Sequence, residues 1–227
     1  MRDPADHYTG AEGRAYHHGK RGLPEEAVPW VARHRARKLQ RHVNPDDVVV
    51  EFGMGWGWNL MELRAGRRIG VDLDEELLAS ARARGIETHA STAGLPDGFA
   101  DVVLGYHVLE HVLQPATVLG ELARILKPRG KLLLVAPFEK ERRYRRYFPT
   151  EPNHHLYSWN VQSLGNLVRE CGFTITEIGL GKYGYDRLAA SLATRSHTGE
   201  TGFRLLRSAM VLIRPLKEIV LLAQKLG

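Results

Sequence analysis

Val48-Val49-Val50-Glu51-Phe52-Gly53-Met54-Gly55-Trp56-Gly57 is the stretch on which the fold turns. A short, nearly all-apolar run bounded by glycine suits a central strand buried on both faces. The glycines at alternate positions admit positive φ and let the main chain approach a ligand that a Cβ would hold off. In open α/β sheets, ligands bind outside the carboxyl end of such a strand, where a helix begins. Nineteen residues after Gly53, Asp72 closes a second strand, Arg68–Asp72. A carboxylate there can accept hydrogen bonds from both hydroxyls of a ribose.

Outward from this centre, strands alternate with helices. Asp74 can cap a helix that Gly85 ends, and Ile86–His89, Ala100–Gly105, Lys131–Ala136 and Phe173–Leu180 read as further strands. Val118–Leu126 and Val161–Cys171 carry apolar residues at helical spacing, as do Val28–Val43 and Phe203–Ile213. Residues 1–28 read as a loose arm with a short helix, and Lys217–Lys225 as a closing strand or more helix. The alternation predicts a parallel sheet covered on both faces by helices.

Composition agrees with a folded domain. The chain has 227 residues, 43% apolar and 26% charged, which suits one domain with attachments or two small ones. A single cysteine, Cys171, excludes an internal disulfide framework and any zinc site built on several thiolates. The first thirty residues hold no run of signal-peptide type. The longest apolar stretches, Leu132–Ala136 and Ala209–Ile213, fall far short of the roughly 18 residues that span a bilayer. A soluble, cytoplasmic protein without a transmembrane segment is expected. Lys and Arg number 32 against 26 Asp and Glu, a net charge of +6, so anionic partners are favoured. The excess clusters at Arg33–Arg41 and Lys140–Arg146.

The glycine loop departs from known phosphate cradles. Trp58 stands where the dinucleotide pattern G-x-G-x-x-G needs its third glycine, and no Gly-Lys-Ser/Thr ending follows. An acid at this turn, Glu51, suits a ligand with an amino group and a sulfonium better than one carrying phosphates. Together with Gly70–Asp74, Leu95–Leu104, His107–Val112 and Leu126–Leu132, Glu51–Gly57 resembles the motifs of class I S-adenosylmethionine-dependent methyltransferases. The likeness is to their small-molecule branch, typified by quinone-biosynthesis enzymes, and spans about residues 44–180.

The resemblance implies a Rossmann-like sheet of seven strands in the order 3-2-1-4-5-7-6, the last strand antiparallel. It implies S-adenosyl-L-methionine as cofactor. Gly53, Gly55 and Gly57 would hold its methionine part, Glu51 its ammonium, Asp72 the ribose, and Leu73 would pack on adenine. Gly105 and Tyr106 would complete the pocket, and Ser91 and Thr92 stand where relatives place an acid facing adenine. Residues 1–43 would form an arm and helix over the site, and 44–227 the methyltransferase domain. Segments 137–160 and 181–216 would roof the substrate.

Methyl transfer from a sulfonium needs alignment and exclusion of water, with a general base only for a poor nucleophile such as a hydroxyl. His107 and His111, four apart on one presumed helix face, are the candidate bases. Arg143, Arg146, His154, His155 and Tyr157 are the candidate substrate residues. His107-x-x-Glu110-His111 with a downstream histidine could hold a divalent cation, but a polar helix terminus is the plainer reading and no metal is assigned. Strand four lacks the Asn/Asp-Pro-Pro-Tyr loop that grips planar amino groups, and Cys171 is remote from a C5-pyrimidine nucleophile's place. The leading expectation is O-methylation of a small anionic or lipid-linked metabolite, with peripheral membrane contact through the basic, amphipathic 203–213 segment. The rivals are an RNA-modifying enzyme, favoured only by the basic clusters, and a non-catalytic module that binds the cofactor.

Overall fold

A computed structural model describes residues 7–138, 146–147 and 153–226. Arg143, most of the basic 140–146 cluster and much of the 137–160 segment lie outside the described residues. The strands are β1 (Val48–Phe52), β2 (Arg67–Val71), β3 (Glu87–His89), β4 (Ala100–Tyr106), β5 (Leu126–Pro137), β6 (Phe173–Tyr183) and β7 (Leu216–Lys225). They form one seven-stranded sheet in the order β3-β2-β1-β4-β5-β7-β6. The first five are parallel, and β7 runs antiparallel to both β5 and β6. The segment Lys217–Lys225 is thus strand, not helix.

Side chains of the central strands divide by parity, as a pleated strand requires. Val50, Val103, Leu132 and Leu134 enter one apolar core beneath α4 (Pro115–Ile125) and α5 (Val161–Glu170). Val49, Val102, Leu104 and Leu133 enter a second core with Leu39, Leu78 and Ala81 on the other face. Burial on both faces is why β1 and β4 read as continuous apolar runs. Truncating Leu132 to alanine, with its side chain fully buried, would cost about 2–5 kcal/mol.

Helix starts follow the local chemistry. Asp74 accepts from the backbone N–H of Glu76 and Leu77 at 2.9 and 3.3 Å, opening α3 (Glu75–Arg82). Such a cap stabilises by about 1 kcal/mol. Asn160 and Ser163 form a reciprocal capping box at α5. α1 (Gly10–Arg21) and α2 (Val28–Leu39) precede the sheet; α6 (Asp186–Arg195) and α7 (Gly199–Ile213) lie between β6 and β7. Val31 of α2 packs with Ala189, Ala190 and Ala193 of α6 and Phe203 of α7 in a third core, which ties the amino-terminal helices to the late ones.

Two expected helices do not form. After the glycine loop the chain makes successive turns to residue 62. Arg68 Nη1 takes the carbonyls of Leu60 and Met61, and the Gln40 side chain takes the N–H and C=O of Arg64. Those side chains satisfy backbone groups that a helix would have used. Nor do His107 and His111 share a helix face. His107 has φ 51° and its N–H is still held by Val135 on β5, so only one turn, His111 N–H to Val108 O, fits before Pro115. The residue before a proline resists helical geometry, which delays α4.

Candidate active site

A cavity of about 500 Å³ opens at the carboxyl ends of β1, β2 and β4. On one side its wall is the loop after β1. Gly53 (φ 68°) must be glycine, because a Cβ there would lie 2.3 Å from Val108 Cγ2. Its N–H and that of Met54 both donate to Val71 O, at 2.8 and 3.1 Å, pinning the loop to β2. Gly55 (φ 55°) has open space where a Cβ would sit, so main chain is presented to the cavity. Gly57 differs. Its missing Cβ faces Ile86 and Ala81, so it serves the packing of α3 and is not part of the wall.

Asp72 closes the loop from the far side. One carboxylate oxygen accepts from Gly55 N–H at 2.8 Å, and the other from Leu73 and Asp74 N–H at 2.8 and 3.3 Å. Burial raises its pKa, and these donors oppose the rise. An ionised carboxylate offers about four acceptor sites, so three N–H bonds leave capacity for a ligand hydroxyl. Leu73, exposed, and Ser91 and Thr92 form the next part of the wall.

Glu51 is fully buried behind Asn59, whose side-chain amide donates to its Oε1. Burial pushes the Glu51 pKa up to about 8, against the opposing pull of Asn59 and Arg35. Glu51 Oε2 and Asn59 Oδ1 are buried acceptors without a donor among the described residues. Two such acceptors beside the loop suit a ligand bearing an ammonium group, which carries three donors.

The opposite wall belongs to β4 and the helices that cover it. Gly105 lies under the wall, its missing Cβ facing Leu134 and Val108. Tyr106 lines the cavity; its hydroxyl donates to Glu218 Oε2 at 3.1 Å, and burial pushes its pKa to about 12. Glu218, fully buried on β7, also accepts from Lys38 Nζ. His107 stacks on Tyr106, and its Nε2 lies 3.3 Å from Glu218 Oε2 without hydrogen-bond alignment. Burial, then the fields of Arg35 and Lys38, depress the His107 pKa to about 3. The ring is neutral, and a base that weak gives little driving force near neutral pH.

His111 sits differently. Tyr8 OH shares a hydrogen bond with its Nδ1 at 2.8 Å, and its Nε2 is 3.9 Å from Glu110 Oε1. Glu110, His111 and His155 each bring a possible ligand atom within 4.8 Å of one another, whereas His107 faces Glu218 instead.

Of the other expected substrate residues, Arg146 is exposed, and it, His154, His155 and Tyr157 are not on the cavity wall. His154 stacks on His7 with centroids 4.1 Å apart, and its carbonyl takes Tyr8 OH. His155 meets the edge of His111, and Tyr157 stacks on Trp159 while its hydroxyl donates to Leu113 O. These residues back the wall.

Several wall residues escaped sequence reasoning: Tyr8, Tyr16, His17, Arg35, Trp58 and Arg187. Arg35 Cζ lies 5.4 Å from the Trp58 ring and 5.5 Å from the Tyr106 ring, with Asp186 at 3.7 Å. Burial, and then the field of Arg35, lower the Arg187 pKa. The one available signal was the basic run that contains Arg35.

The sheet order, the glycine loop and the facing aspartate define a Rossmann-like methyltransferase fold. Residues 50–134 match the family model described as a methyltransferase domain. A Mycolicibacterium smegmatis protein named "Probable S-adenosylmethionine-dependent methyltransferase" is 32% identical over 164 residues, 69% of this chain and 63% of that protein. The demethylmenaquinone methyltransferase of Symbiobacterium thermophilum is 25% identical over 207 residues, 82% of each chain. Among solved structures, the [4+2]-cyclase SpnF superposes with TM-score 0.62 at 20% identity, covering 86% of this chain and 81% of that one. That likeness shows the fold alone. Residues 50–134 thus carry a methyltransferase domain of the class I S-adenosylmethionine-dependent type, and the matched stretch spans less than two thirds of the Mycolicibacterium relative's own length.

Proposed function

We propose that the chain transfers a methyl group from S-adenosylmethionine to an oxygen of a small anionic or lipid-linked acceptor. The observation that carries this reading is one cavity whose wall joins the glycine loop, Asp72 and Asn59, with Glu51 buried behind Asn59, to Arg35, Arg187, Tyr16 and His111. Its volume suits small ligands, not a folded macromolecule. The likeness to a demethylmenaquinone methyltransferase supports an acceptor of that size.

S-adenosylmethionine, when bound, supplies a methyl carbon activated by its sulfonium leaving group. The Glu51 carboxylate, ionised, would hold the ammonium, and Asp72 the ribose hydroxyls. Gly53 and Gly55 present close main chain to the methionine part, with Tyr106 across from them. Leu73, Ser91 and Thr92 would enclose the adenine. Arg35 and Arg187, two cations crowded on one wall, favour an acceptor with negative charge. His111 takes the acceptor's proton at Nδ1, where the acceptor hydroxyl replaces Tyr8 OH, while the Glu110 carboxylate 3.9 Å from Nε2 steadies the imidazolium that forms. Residues 7–43, through Tyr8, Tyr16, His17 and Arg35, cover the site and exclude water from the reacting atoms.

The test is incubation of cell extract with isotopically labelled S-adenosylmethionine and the protein, followed by mass spectrometry. A labelled small molecule resistant to nuclease supports the reading. Label in RNA, or no label despite tight cofactor binding, refutes it.

A further inference from the structure

α7 buries one side and leaves the other bare. Phe203, with Leu206 and Met210, packs into the third core. On the outward side Leu205 is 68%, Leu212 77% and Ile213 83% exposed, with exposed Ala209 between them and Leu216 just beyond. Leu205 and Leu212 lie two turns apart on one helix face, so the exposed apolar side chains form a continuous stripe. Single exposed leucines need no explanation; an apolar stripe over two turns of a helix marks an interaction surface.

The rim of the stripe is basic. Arg204, Arg214 and Lys217 are exposed and make no ion pair among the described residues. Nearby acids are already engaged: Asp186 with Arg207 and Arg35, Glu200 with Arg33 and Arg37, Glu218 with Lys38. Tyr185 OH donates to Arg214 O at 2.7 Å, Leu216 packs against Gly184, and Arg187 lines the cavity wall.

We infer that the outer face of α7 docks the protein on an anionic lipid bilayer, the apolar stripe entering the headgroup–acyl boundary and the three cations meeting lipid headgroups. A second copy fits less well, since a two-fold pairing would set the same cationic rim against itself. Apolar burial and attraction to anionic lipid are the two terms that bind an interfacial helix, and α7 carries both. The surface stands whether or not the acceptor is itself a lipid.

The experiment is cosedimentation of the full chain with vesicles of phosphatidylcholine, with and without about 30% phosphatidylglycerol. Binding to the anionic vesicles, weakened by salt, is expected. Arg204→Ala with Lys217→Ala should reduce it about fivefold per side chain. Leu212→Asp with Ile213→Asp should reduce it at least about tenfold. Thermal melts and adenosylhomocysteine binding report independently on folding and on the cofactor site, and both should match the parent in each variant. Equal binding to neutral vesicles, no binding to anionic ones, or aspartate variants that bind as well as the parent would overturn the inference. So would a dimer in sedimentation velocity that the aspartate variants dissociate.

Discussion

Affinity for adenosylhomocysteine should climb about tenfold between pH 6 and pH 7, and Glu51 is the reason. The carboxyl is fully buried, and its pKa stands at about 8 because burial disfavours the charge. Only the ionised form pairs with the ligand's ammonium. At pH 6 on the order of 1% of the free protein is ionised, and at pH 7 on the order of 10%. Binding in this range therefore expels about one proton. Titration calorimetry in two buffers of different ionisation enthalpy measures that proton directly. Methylthioadenosine, which lacks the amino-acid part, should show no such dependence, and Glu51→Gln should abolish it. A flat affinity from pH 6 to pH 7 with no proton released would refute the pairing. Stability carries the opposite sign. A folded pKa above the unfolded one makes the folded state the better proton binder, so stability falls as pH rises from about 4.5 toward 8. Glu51→Gln should accordingly melt higher than the parent at pH 8, while the difference narrows at pH 5.

Other substitutions separate the parts of the site. Gly53→Ala places a Cβ 2.3 Å from Val108 at a positive φ, so it should lower the melting temperature and weaken cofactor binding at least about tenfold. Asp72→Ala frees the Gly55 N–H and removes the ribose acceptor, costing about 1–3 kcal/mol of cofactor affinity by calorimetry. His111→Asn should cut kcat by about 10²–10⁴ and leave cofactor affinity unchanged; a small effect would take the base elsewhere. His107→Gln should leave the pH–rate profile between pH 5 and pH 8 in place, because its pKa of about 3 lies below that window.

What could be read from the sequence was whatever is local. Val48–Phe52, Asp74 as a cap and the glycine loop follow from residue type and spacing within a few positions, and each lies where those rules put it. Pairings distant in sequence were invisible. Glu218 meets Tyr106 across 112 positions and Lys38 across 180, and nothing in Lys217–Lys225 marks that acid as buried beneath the cavity. The amino-terminal aromatics escaped for the same reason: a loose, glycine-rich arm gives no period, yet Tyr8 reaches His111 across 103 positions. The helix expected after the loop failed because Arg68 and Gln40, outside the window of any periodicity, take its backbone groups. α6 was missed because its alanines contact α2 and α7 without a strong stripe of their own.

The slot that β7 fills has a consequence for assembly. Residues 216–225 insert between β5 and β6, pairing with both. Until a ribosome releases them, two strand edges stay open and Lys38 and Tyr106 wait for their carboxylate. Binding competence therefore waits until residues 216–225 have been made, and a nascent chain stalled before residue 216 would be an aggregation hazard holding a half-built pocket.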